Sequence, residues 1–113
     1  MSIDQEKSDV EQISILILSG KQLLTTDLIT KSGHRVTSLY KWNRDVINYF
    51  KTSQYRNQIP KFMRLTRDHE EENWENGHHS EGVISDPRLY DIRLECNRQA
   101  LQDCIKFLED LIK

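Results

Sequence analysis

A chain of 113 residues with 36% hydrophobic and 30% charged side chains has apolar material for one modest core and not for two, so residues 1–113 are read as a single domain. Its longest apolar run, Ile15 to Leu18, falls far short of the roughly 20 residues needed to cross a bilayer, and the opening MSIDQEKSDV lacks the basic and apolar regions of a secretory leader; the expectation is a cytoplasmic protein with no membrane partner. The net charge of −2 conceals a segregation: residues 31–67 carry nine bases and one acid, Asp45, between acidic flanks, which predicts an electropositive face unless the acidic ends fold over it.

Along the chain, Val10, Ile13, Leu16, Ile17, Leu23 and Leu24 recur at three- and four-residue steps and predict a first helix over about residues 4 to 24, with Gly20 as its end or a weak point. The segment SILIL also fits a strand, but no second β-branched run exists to pair with it. Residues 25 to 34, TTDLITKSGH, read as a connection turning at Gly33. Val36, Leu39, Tyr40, Asn43, Val46, Ile47 and Phe50 then trace one face of a second helix over roughly residues 35 to 52, with Trp42 and Tyr49 on an adjacent face.

Pro60 suits the first turn of a third helix that carries Phe62, Met63 and Leu65 to about residue 75 and exits through NGHHSEG. Ser-Asp-Pro at 85 to 87 is the sharpest local signal: Asp86 can cap free amides, and Pro87 has a helical φ and no N–H to waste. A ladder of Tyr90, Leu94, Leu101, Cys104, Ile105, Leu108, Leu111 and Ile112 makes this a last helix of about 25 residues. The fold expected is all-α, a four-helix bundle with antiparallel neighbours. Cys96 and Cys104 lie about 12 Å apart along that helix and cannot bridge each other.

Candidate chemistry is sparse. Arg64 and His69 form R-x4-H, which resembles the pair that holds the scissile phosphate in helical ribonucleases of the HEPN class, although the polar residue usual after the arginine is Leu65 here; the alternative it implies is a ribonuclease using Arg64 and His69. His69, Glu72, His78 and His79 offer ligand chemistry but no compact HxxxH or HExxH spacing, so no metal and no cofactor is expected. Lys41, Arg44, Lys51 and Arg56 are interleaved with aromatics, a mixture suited to nucleic acid. Trp42, Tyr49 and Tyr55 are expected as exposed aromatic anchors for a protein partner.

The stretch EQISILILSGKQLLTTDLITKSGHRVTSLYKWNRDVINYFKTS, followed by QYRNQIPKF, resembles a helical accessory module found at the start of bacterial multidomain proteins, several of them defence-associated. The matching parts are Gly20, Lys21, Leu23 and Leu24; then Tyr40, here two rather than three residues before Trp42, with Val46, Ile47 and Phe50; then Tyr55 and Phe62; then the helix from Pro87 onward. The resemblance implies no catalytic residues and a docking or oligomerisation role beside an effector. With no effector after Lys113, the chain is expected to act as a separate accessory subunit of a bacterial or phage complex, or as a fragment. The leading expectation is therefore a non-catalytic interaction or oligomerisation subunit, with a nucleic-acid-binding subunit of a ribonucleoprotein as the alternative.

Overall fold

The computed structural model describes residues 3–77 and 86–113. It is all-α: α1 (Ile3–Leu23), α2 (Thr37–Lys51), a single 3-10 turn (Arg56–Gln58), α3 (Ile59–Thr66), α4 (Asp68–Gly77) and α5 (Pro87–Leu111). The SILIL segment is helical, and the only β pairing among the described residues is an isolated bridge between Ile29 and Arg35.

Four of these helices close into a ring in which α1 packs on α2 and α5, and α3 packs on the same two. Trp42 Nε1 donates to the Leu16 carbonyl (2.9 Å) while Tyr49, two turns later, donates to Asp9, so α1 and α2 are antiparallel. Along α2 and α5, Arg35 meets Asn97 and Phe50 meets Phe107, so these diagonal helices run the same way. Arg67 pairs with Asp103 at 3.7 Å and Lys61 lies over Phe107, which sets α3 against α5. The result is the expected up-down-up-down order.

The core between them contains Ile13, Ile17, Leu39, Val46, Leu101, Cys104 and Leu108, with Phe50 and Phe62 edge to face at 5.6 Å. Asp86 caps α5 as its spacing from Pro87 predicts, its side chain accepting from Arg88 N–H at 2.9 Å. The connection before α2 does more than turn. Gly33 holds φ 85°, a value costly to residues with a Cβ, and the loop folds Leu28 and Ile29 inward until they are 1% and 2% exposed.

The third predicted helix is two. Arg67 adopts a left-handed conformation with φ 57°, ending α3 one residue before α4 begins. The cause is remote in sequence: the Thr66 carbonyl, which a continuous helix would offer to the amide of residue 70, accepts from the Arg35 guanidinium at 2.8 Å. Thr66 Oγ1 turns back to the Met63 carbonyl (2.6 Å) and accepts from Asp68 N–H (3.3 Å), stabilising the bend locally.

Gly20 does not end α1, which runs on to Leu23; it lies against Trp42 and Ile105. A Cβ there would lie 2.8 Å from Trp42 Cζ2 and 3.0 Å from Ile105 Cγ1, and the indole cannot retreat without breaking its bond to Leu16. Gly20→Ala gains about 1 kcal/mol of helix propensity but overpacks the core at about 1–3 kcal/mol. A lower urea midpoint than the parent is expected; an unchanged or higher one would show that Trp42 yields freely.

Candidate functional site

Polar side chains concentrate where the loop, the α3–α4 bend and α5 meet. Arg35, 4% exposed, donates from Nε to Asn97 Oδ1 (2.7 Å), from Nη1 to Asp68 and from Nη2 to the Thr66 carbonyl. Glu71, equally buried, takes a forked contact from Arg93 and lies 3.9 Å from Arg35 Nη2. Arg93 also donates to the Gly33 carbonyl and covers the Trp74 ring at 4.3 Å. Asn97 donates to Glu71 and to the Arg93 carbonyl, and Asn43 donates to Asp68 at 3.1 Å.

Two arginines and two carboxylates thus cancel each other's charge, with each Arg35 nitrogen given an acceptor. Burial pushes the Asp68 carboxyl above its usual range against the pull of Arg35 and the hydrogen bonds from Asn43 and Thr66. This cluster is a fastener between elements rather than a reaction centre, because its donors and acceptors are spent on one another.

The outer side of the bend is different. An open hollow of about 350 Å³ is lined by Met63, Arg64, Thr66, Arg67, Asp68, His69 and Glu70. The R-x4-H pair of the sequence therefore does share one surface: the bend brings Arg64 and His69 to the same hollow, both exposed. Glu72 is also exposed, whereas His78 and His79 lie outside the described residues. Among the described residues, no group of three or more His, Cys, Asp or Glu is placed to hold a metal ion, and no helix is long and apolar enough to cross a membrane.

The three aromatics expected at the surface are turned inward, which corrects their expected exposure. Trp42 is 4% exposed because the bundle wraps α2 on two sides, widening its buried face until the adjacent stripe is covered as well. Tyr49 is half-buried, its hydroxyl donating to Asp9, a carboxylate itself 2% exposed that also accepts from Gln54 (2.8 Å). Burial, then that hydrogen bond and the Asp9 charge, raise the Tyr49 hydroxyl above its ordinary value. Tyr55 packs on Phe50 with centroids 6.0 Å apart.

Lys41, Arg44, Lys51 and Arg56 are all exposed, and none has an ion-pair partner among the described residues. Both cysteines are free; Cys96 is exposed and Cys104 buried, and burial pushes the Cys104 thiol up to about 12, which leaves it unreactive at neutral pH.

Removing one member of the buried cluster strands its partners. Arg35→Ala leaves Glu71 short of a cation and the Thr66 carbonyl unpaired, at a cost of about 3–5 kcal/mol. Urea unfolding should show most of the chain's stability lost; a decrease below about 1 kcal/mol would mean that water replaces the guanidinium without penalty. Comparison with family models, with curated proteins and with solved structures finds no match to this chain.

Proposed function

We propose that the protein is a non-catalytic helical interaction subunit that self-associates through the outward side of α1, as an accessory element of a larger complex. The observation that carries this reading is the exposure of Ile15 (57%) and Leu18 (60%) on the helix whose opposite side already fills the core with Ile13 and Ile17. Large apolar side chains that adjoin one another on an exposed face are a mark of an interaction site. Ile15 and Leu18 are one turn apart, so an antiparallel pairing centred between them sets the Ile15 of each copy against the Leu18 of the other, with Glu11 opposite Gln22. Neither side chain supports the bundle, so their loss should be felt in association alone.

Light scattering over a range of protein concentrations is expected to show mass rising above that of one chain. The double variant Ile15→Lys, Leu18→Lys should stay monomeric while its melting curve remains within about 0.5 kcal/mol of the parent. A parent monomeric throughout, or a double variant that associates equally, would remove this reading.

A second reading rests on a different face. Lys41, Arg44 and Lys51 fall within about 80° of arc on α2, Arg56 follows in the 3-10 turn, and all four cations lack carboxylate partners among the described residues. Such a strip suits a phosphodiester backbone. Titrating fluorescent single-stranded RNA at several salt concentrations should give affinity that falls steeply with salt. Alanine at Lys41, Arg44 or Lys51 should each reduce the slope of log K against log salt by about 0.7. Undetectable or salt-insensitive binding would discard the strip as a nucleic-acid surface.

A further inference from the structure

We infer that the hollow at the α3–α4 bend seats one nucleotide of a single-stranded nucleic acid, an inference that rests on the reading of the α2 strip as a nucleic-acid surface and adds to it a site of defined shape. The hollow, about 350 Å³, falls in the size range of small-molecule sites. Its chemistry is mixed in the way a nucleotide is mixed. Met63, 54% exposed, supplies an apolar surface on which a base can lie, and Arg64 supplies an exposed cation with no carboxylate partner among the described residues. Arg67 stands on the same lining but pairs with Asp103 at 3.7 Å, which leaves Arg64 as the cation for a phosphate.

One hydrogen bond ties α2 to the lining of the hollow. Asn43 donates to Asp68, a lining residue, and its chain neighbour Arg44 is exposed, so the strip on α2 begins one residue from a side chain that touches the lining. Of the two carboxylates on the lining, Asp68 is already engaged by Arg35 and Asn43. Glu70 is exposed and opposes an anion, so it makes the site weaker than its cations alone would.

An acidic polypeptide shares the phosphate strand's charge but has no base to place on Met63, which decides between them in the test. Binding of a short fluorescent oligouridylate to the full chain is measured by anisotropy, beside the same RNA annealed to its complement and a polyglutamate of similar length. Single strands should bind best. Met63→Ser should weaken binding about threefold, less than the loss of an aromatic stacking platform, at unchanged salt slope. Arg64→Ala should weaken it and lower the slope by about 0.7, and Glu70→Gln should tighten it. All three positions are exposed, so thermal melting should be unaffected and a folding defect is read separately. Unchanged affinity in Met63→Ser and Arg64→Ala, while Lys41→Ala and Arg44→Ala still weaken binding, would overturn the nucleotide seat and leave the strip standing. No binding of any RNA removes both, and polyglutamate binding as tight as RNA overturns the assignment of the ligand.

Discussion

The guanidinium of Arg35 is the constraint on which the rest of the molecule depends. An isolated charge buried to this degree would cost several kcal/mol, and it is tolerable only because three elements distant in sequence bring it acceptors: Asn97 from α5, the Thr66 carbonyl from the end of α3, and Asp68 from the start of α4. The same demand fixes the loop before α2, since Arg35 is itself the residue bridged to Ile29. A hydrophobic residue there would hold the loop as firmly by area but would not specify which carbonyl or carboxylate comes to meet it. Directionality, rather than net energy, is what this buried cation adds.

The bend between α3 and α4 follows from that demand. Without Arg35 drawing the Thr66 carbonyl sideways, nothing in the local sequence obliges a helix begun at Ile59 to break at Arg67, where a left-handed non-glycine residue is itself strained. The bend redirects α4 across α5, where Glu71 and Arg93 lock it down, and opens the hollow on its outer side. One internal ion pair therefore shapes an external surface.

This is also where the sequence was least legible. The helices themselves could be read from local pattern: the α5 ladder, the Asp86 and Pro87 start, the turn at Gly33 and the α2 stripe all express spacings within a few residues. The break at Arg67 is written 32 residues upstream, in a residue counted as one surface cation among nine. The burial of Trp42 is hidden from local pattern for a related reason. A periodic stripe gives the centre of a helix's buried face but not its width, and width depends on how many neighbours flank it; α2 has α1 on one side and α3 on the other. An indole whose N–H finds the Leu16 carbonyl can be buried without loss, and no spacing rule announces that bond. The hollow mixes both cases: R-x4-H was visible as text, but the bend that gathers Arg64 and His69 onto one lining was not.

Charge segregation in the sequence survives folding, and that bears on what kind of surface the protein offers. Of the nine bases between residues 31 and 67, Arg35 is consumed in the interior and Arg67 pairs with Asp103. The other seven, nine less two, are exposed with no ion-pair partner among the described residues. Among the acids, Glu71 is taken up inside the cluster, Asp9 accepts from Tyr49 and Gln54 and Glu109 pairs with Lys21. On α2 the exposed cations Lys41, Arg44 and Lys51 face one exposed carboxylate, Asp45, and α3 carries Lys61 and Arg64 with no acid, so these two helices present a local cationic surface, strongest for an approaching polyanion at low salt and screened within about 10 Å at 0.1 M. The apolar strip of α1 lies on another side of the ring, so association through one face need not cover the other, and two copies joined along α1 would present two cationic faces to a single strand.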